Sequence, residues 1–278
     1  MITLTICNHK GGTGKTTTSM NLAAAFGMTG RNVLVVDLDP QAFLTRMMGE
    51  SEAAPNQSSL VLFEENLEPQ KVPITKLKTF DLIPASAALA SAIRRLTKPT
   101  DVLWLREFVG GMESRYNMII FDTAAAVTVF SLNALVSSNF VVIPVLPEYQ
   151  PTIGGEQTYQ TAQVVRKRLN PDLAPPQFLL TMVDGRKKNH LGYRKYLRER
   201  YGDRVMRTVI RTCTTLSLTK QNGQTVFESD PTARGSIDYA SAADELGQLF
   251  DRFEKRENEF QNQESMQTQT FDERHSSL

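Results

Sequence analysis

The sequence predicts an α/β fold, a mostly parallel twisted sheet flanked by helices on both faces, and three observations predict it. Apolar, β-branched runs alternate with helix-length amphipathic segments, the pattern of repeated β-α-β units. Two runs, Val33-Leu34-Val35-Val36 and Met118-Ile119-Ile120-Phe121, hold no polar residue, as strands covered on both faces do. A glycine-rich loop, Gly11 to Thr17, joins the first run to the first amphipathic segment. At 278 residues the chain can form one large domain or two small ones.

Strands are expected at Leu4–Asn8, Val33–Asp37, Asp81–Pro84, Met118–Asp122, Val141–Val145, Phe178–Val183 and Val205–Ile210. The first helix is expected at Thr16–Met28, with Met20, Leu22, Ala23 and Phe26 on its apolar positions and Gly30 as its stop. Further helices are expected at Ala87–Leu96, Val102–Ser114, Glu156–Leu169, Tyr193–Tyr201 and Ile237–Phe253. Glu50–Lys78, rich in Ser, Glu, Gln and Pro, reads as a surface excursion. The unit ends near residue 257, and Asn258–Leu278, repetitive in Gln, Glu and Ser, reads as a flexible polar tail.

Composition narrows the class. Hydrophobic residues make up 41%, charged residues 22%, and the net charge is +1, which excludes a disordered, collagen-like or disulfide-dense chain. Cys7 and Cys213 supply neither a CxxC pair nor a four-ligand metal site, and so few cysteines suit a reducing compartment. The N-terminus lacks the basic region and long apolar core of a signal peptide, and the most apolar stretch, Phe140–Leu146, is far shorter than a membrane span. The expectation is a soluble intracellular protein.

The loop Gly11-Gly12-Thr13-Gly14-Lys15-Thr16-Thr17 lies between a strand and a helix, the context of a phosphate-binding loop. Glycines let consecutive N–H groups point at phosphate oxygens, and the following helix adds the positive end of its dipole. Lys15 supplies a full charge near the β/γ-phosphates, Thr16 is placed to ligate Mg²⁺, and Thr17 can donate to the α-phosphate. The loop lacks the first glycine of the common GxxxxGK[ST] pattern, and Lys10 stands four residues before Gly14, preceded by Asn8 and His9. The loop already holds Lys15, so this second lysine is free to face a nucleotide on another subunit.

Lys10-Gly11-Gly12-Thr13-Gly14-Lys15-Thr16 resembles the deviant Walker A motif of the ParA/MinD ATPases. Val33 to Gln41, with its Asp37-Leu38-Asp39-Pro40-Gln41 ending, is similar to the segment after the second strand in the ParA branch, and Met118–Asp122 to the strand ending in the Walker B aspartate. Ser131–Val136, Ile143–Tyr149, Leu180–Asp184, Tyr201–Val205 and Asp230–Gly235 extend the resemblance to about residue 250. With the first strand beginning at the start of the chain, an N-terminal helix-turn-helix extension is not expected, as in the short ParA proteins.

The resemblance implies a P-loop ATPase using ATP and Mg²⁺, in which two subunits sandwich two nucleotides and Lys10 crosses to the partner's phosphates. It gives the catalytic roles to Lys10, Lys15, Asp39 and Asp37, with Asp39 orienting water and Asp37 supporting the Mg²⁺ shell. Asp122 would hold Mg²⁺ through water together with Thr16. The base is expected near Met182, Asp184 and the Ile210-Arg211 turn. Two departures stand out. Thr123-Ala124-Ala125-Ala126 replaces the family's Thr-Pro-Pro, which frees the backbone of this switch, and Arg211-Thr212-Cys213 replaces its Pro-Arg-Asn.

From Thr181 to Lys220 eleven basic residues face three acidic ones, an electrostatic footprint for nucleic acid. The family's non-specific binding of double-stranded DNA makes Arg234 the first contact candidate, followed by Arg186, Lys187, Lys188, Arg194, Lys195, Arg198 and Arg211. The implied partners are a second copy of the chain, DNA, and a ParB-like or other adaptor that stimulates hydrolysis, and the implied place is the cytoplasm at the nucleoid. The cargo is a plasmid, a chromosome or a protein assembly. Two alternatives are a Min-type membrane-associated ATPase and a metabolic enzyme on the same fold. Against the first, Asp251–Leu278 carries seven acidic and four basic residues, so an anionic membrane repels it. The stripe Leu246, Leu249, Phe250 and Phe253 is expected to pack on the domain instead.

Overall fold

The structure, a computed structural model, describes residues 1–275 except 51–52, 66, 69–70 and 220–222, and describes side chains through Lys255. An eight-stranded sheet runs through it: β1 (Ile2–Ile6), β2 (Val33–Asp37), β3 (Thr75–Lys76), β4 (Asp81–Ile83), β5 (Met118–Asp122), β6 (Phe140–Val145), β7 (Gln177–Val183) and β8 (Val205–Arg211). The strand order is β3-β4-β2-β5-β1-β6-β7-β8, and every pairing is parallel except the edge pair β3–β4. β1, β2, β5 and β6 are buried from end to end, which is why β2, β5 and β6 read as apolar runs, those of β2 and β5 closed by an aspartate, while β1 buries Thr3 and Thr5 as well.

The helices are α1 (Lys15–Met28), α2 (Phe43–Met47), α3 (Leu89–Ala92), α4 (Trp104–Gly110), α5 (Val129–Val136), α6 (Tyr149–Arg168), α7 (Lys188–Tyr201), α8 (Thr214–Leu218), α9 (Val226–Ser229) and α10 (Arg234–His275). Separate apolar clusters cover the sheet. One joins α1 and α10 to β1, β2 and β5, and another sets Leu60, Leu62 and Phe63 against Leu34, Ile83 and Phe121.

Several expectations change; α7, for one, begins at Lys188, five residues before the expected Tyr193. The excursion at 50–78 is not confined to the surface. Its 3₁₀ turns Pro55–Gln57 and Ser59–Phe63 bury Leu60, Leu62 and Phe63, and Ser59 Oγ donates to the Asp37 carbonyl at 2.6 Å. Few apolar residues among many polar ones hide such a segment, because turns lack the periodicity that marks helices and strands. α3 spans only Leu89–Ala92 and α4 ends at Gly110, so both helices are shorter than expected. α6 begins at Tyr149, seven residues before the expected start, because Pro151 falls in its first turn, where its missing N–H costs nothing. β1 also begins and ends two residues early, which releases Cys7 and Asn8 to enter the loop.

α10 packs as its stripe implies. Leu246 and Phe250 are fully buried, Leu249 and Phe253 pack against the same core, and Phe250 meets the rings of Phe26 and Phe140 at 5.6 and 4.6 Å. The segment expected as a tail, 258–278, falls on the last part of α10, described only as backbone helix to His275, and on 276–278, which lie outside the described residues. Phe250→Ala should therefore cost about 3–5 kcal/mol of stability, the usual range for a fully buried phenylalanine, read from the urea midpoint of the full chain. A midpoint equal to wild type would show that α10 is not part of the cooperative core.

Candidate functional site

The site lies at the carboxyl ends of β1, β2 and β5, where chain crossings open a crevice in sheets of this kind. The loop from Lys10 to Thr17 leaves β1 and enters α1. Gly12 and Gly14 take left-handed φ values of +73° and +85°, which turn successive N–H groups into the concave side and exclude a Cβ without strain. Lys15 is buried, and its Nζ donates to the Lys10 carbonyl at 3.3 Å. Burial pulls its pKa down, and Asp122 and then Asp39 pull it back up. Lys10 itself is exposed, with no ion pair among the described residues.

The loop's entry is braced by residues that no motif marks. Asn8 Nδ2 donates to the Pro144 carbonyl at 2.8 Å while its Oδ1 accepts the Lys10 N–H at 2.9 Å. The His9 N–H donates to Thr158 Oγ1 at 2.9 Å, from α6. That helix approaches so closely at Gly154 that a Cβ there would stand 2.8 Å from the Lys10 Cβ. On the far side Thr181 Oγ1 donates to the Thr13 carbonyl at 2.8 Å.

Asp37 and Asp122 stand side by side on β2 and β5. Asp122 accepts from Thr16 Oγ1 at 2.9 Å and from Ser19 Oγ at 2.7 Å. Burial first, and then Asp37 beside it, push its carboxyl well above the usual range. Asp37 is also fully buried. Its oxygens accept the Asp39 N–H at 3.1 Å, the Thr45 N–H at 3.0 Å and Thr45 Oγ1 at 2.7 Å, and these bonds shape the turn into α2. Asp39, half-buried, lines the loop's cavity, which Asp37 does not.

That cavity, about 530 Å³, is lined by Gly11 to Thr17 with Asp39, Phe43, Arg46, Met47 and Ala125. Ala125 of the Ala124-Ala125-Ala126 switch thus faces Gly11. A second cavity, about 380 Å³, meets the first at Gly12, Gly14 and Thr17 and continues past Thr181, Met182, Arg211, Thr212, Cys213, Leu216 and Tyr239. The structure thus brings Met182 and Arg211 together in this second cavity. It does not bring Asp184, whose carboxylate is held by Arg186 at 2.9 Å and kept well below the usual carboxylate range by it. Among the described residues two that are not glycine take left-handed φ, Met182 at 51° and Ala42 at 49°. Met182 lines the second cavity and Ala42 precedes α2, so local strain concentrates beside the site. A larger cavity of about 690 Å³, around Gly30, Lys76 and Tyr116, holds no motif residue.

The basic stretch is largely spoken for. Arg211 is clamped on Asp238 at 2.5 Å, Arg200 on Glu156 at 3.0 Å, Lys195 on Glu199 at 3.6 Å, Lys187 on Glu148 at 3.8 Å and Arg207 on Glu245 at 4.0 Å. Arg198 donates to the Met206 carbonyl. Lys188, Arg194, Arg204 and Arg234 form no ion pair among the described residues, and Lys188 and Arg234 are exposed. Both cysteines are free, and burial pushes the Cys7 thiol up to about 12, as for a small core residue. No helix among the described residues is long and apolar enough to cross a membrane.

A family model described as an AAA domain matches residues 1–175. The sporulation initiation inhibitor protein Soj of Bacillus subtilis is 33% identical over 245 residues, 87% of this chain and 97% of that one. The chromosome-partitioning ATPase Soj of Thermus thermophilus is 34% identical over 87% of this chain and 94% of its own. Among solved structures, the cobyrinic acid a,c-diamide synthase of Mycobacterium smegmatis, with bound ATP analogue and magnesium, superposes with a TM-score of 0.77. It is 26% identical, covering 90% of this chain and 96% of that one.

The raised Asp122 pKa has a sign that can be tested. Its neutral form is favoured in the folded state, so its contribution to stability is greatest at acidic pH and is lost as pH rises toward neutrality. Without Mg²⁺ and nucleotide, Asp122→Asn should gain in Tm on wild type between pH 5 and pH 8. A widening of at least about 2–4 °C is expected, the shift that 1 kcal/mol gives in a domain of this size. A constant difference across that range would show that Asp122 does not carry the effect.

Proposed function

The chain belongs to the ParA/MinD family of deviant Walker A ATPases, and we propose that it is a ParA-type partition ATPase, an ATP-locked homodimer that grips DNA and positions a cargo. Its reaction is hydrolysis of ATP to ADP and phosphate, with Mg²⁺ as cofactor. The ATPase unit in this reading is residues 1–257, with 258–278 a polar appendage.

The observation that carries the dimer is the exposed Lys10 at the mouth of a loop whose own lysine, Lys15, is already buried in it. A cation supplied by a second subunit neutralises charge that develops on the transferring phosphoryl group. The loop's N–H groups and Lys15 hold the phosphates, and Asp39 orients the attacking water. Asp37 acts at one remove, by fixing the turn that carries Asp39. The oxygen donors of Thr16 and Asp122, 2.9 Å apart, suit a hard divalent cation. These two residues would hold Mg²⁺, which would supply positive charge against the phosphates. Met182 and Arg211 wall the base.

DNA binding rests on the cations left free. Arg234 and Lys188, with Arg194, are the contacts this reading favours, while Arg186, Lys187, Lys195, Arg198 and Arg211 are engaged within the chain. A dimer presents the free set twice, which couples DNA affinity to nucleotide state. An adaptor that stimulates hydrolysis completes the cycle, and the nucleoid is its place. The Soj relatives, 33% and 34% identical against 26% for the diamide synthase, support partition over a biosynthetic role.

Two experiments test this. Lys10→Ala should bind nucleotide like wild type yet fail to dimerise with ATP in light scattering, with kcat lower by about 10²–10³-fold. Lys15→Ala should lose nucleotide affinity itself. Normal dimerisation and turnover in Lys10→Ala would remove the trans role. For DNA, salt titrations on two unrelated duplexes should show tighter binding with ATP than with ADP. Arg234→Ala should weaken both duplexes alike and flatten the log–log slope by about one. Equal affinity in the two nucleotides, or a strong preference for one duplex, would sink the non-specific clamp.

A further inference from the structure

Arg46 has no role in the functions derived above, and no motif marks it. It projects from α2 and lines the loop cavity with Lys15, Thr16 and Asp39. Two contacts hold its guanidinium. Nη2 donates to the Gln41 carbonyl, and the group lies over the Phe43 ring, 5.1 Å from its centroid. Neither contact cancels its charge, and no carboxylate among the described residues forms an ion pair with it.

The backbone beneath is fixed as firmly as the site itself. The preceding residue, Thr45, is tied to Asp37 by its N–H and its hydroxyl, and that hydroxyl also accepts the Ala85 N–H at 2.9 Å. Arg46 is therefore a pre-positioned cation on a cavity that already holds the buried ammonium of Lys15. Two cations around one cavity repel each other, and a polyanion between them turns that repulsion into attraction on both sides. Arg46 also reaches the cavity on the same short segment as Asp39, and its fork of N–H groups suits phosphate oxygens.

We propose that Arg46 contacts the terminal phosphate of ATP within its own subunit and thereby makes the site discriminate ATP from ADP. Phe43 and the Gln41 carbonyl are the positioning groups that hold the guanidinium ready. The proposal rests on the ATPase assignment and deepens it: Lys10 would read the partner's nucleotide, and Arg46 its own.

The test is equilibrium titration of the full-length chain with a fluorescent ADP and with a non-hydrolysable ATP analogue, both with Mg²⁺. Arg46→Gln should weaken the analogue by about 10-fold or more, the scale of a lost charge-assisted contact, and ADP by less than about 2-fold. Arg46→Lys should recover part of the loss, and Phe43→Leu, which keeps the charge but removes the ring face, should fall between. Equal weakening of both nucleotides would overturn the proposal, as would no weakening of either. Loss of DNA affinity with unchanged analogue affinity would also overturn it, by assigning Arg46 to the DNA face. Lys15→Ala in the same titrations keeps the two failures apart: if it binds both nucleotides like wild type, the ATP site itself has been misplaced.

Discussion

Two carboxylates buried side by side in a parallel sheet are the constraint around which this site is organised. Placing Asp37 and Asp122 in register on β2 and β5 costs free energy unless their oxygens are occupied. The chain occupies them with the starts of its neighbouring helices. Asp122 accepts Thr16 and Ser19 of α1, while Asp37 accepts Asp39 and Thr45 on the way into α2. The same hydrogen bonds that offset the burial thus fix both segments that line the loop's cavity. Lys15, whose charged form Asp122 and Asp39 favour against its burial, adds the opposing charge to this group.

How much of this could be read in the sequence follows from where the determinants lie. Interior strands were legible because burial on both faces leaves only apolar residues, and the loop because glycine, lysine and threonine must sit at fixed spacing. The braces were not. Asn8, Thr158 and Thr181 are ordinary residue types, and each acts on a partner that only the fold brings near. Gly154 reads as a helix weakness until the contact with Lys10 is seen. The excursion at 50–78 concealed its buried turn for a related reason: Leu60, Leu62 and Phe63 have no period to betray them.

Charge shows the same division between composition and arrangement. Counting along Thr181–Lys220 gives a strong positive excess, yet Glu148, Glu156, Asp238 and Glu245, all outside that window, neutralise much of it. What is left with neither an ion pair nor a side-chain hydrogen bond among the described residues is a smaller set: Lys188 and Arg194 on α7, Arg204 just after it, and Arg234 at the start of α10. Local sequence windows overstate a footprint whenever the counterions come from elsewhere in the chain, and here most of them do.

The clamp between Arg211 and Asp238 sets a length scale for communication. Arg211 lines the second cavity, and Asp238 lies four residues, about one helical turn or 6 Å of rise, beyond Arg234. In the reading given above, the sensor of the base and the hand laid on DNA are then adjacent rungs of one rigid ladder. A relay that short needs no hinge and no domain rotation, and it leaves little slack in which the signal could be lost.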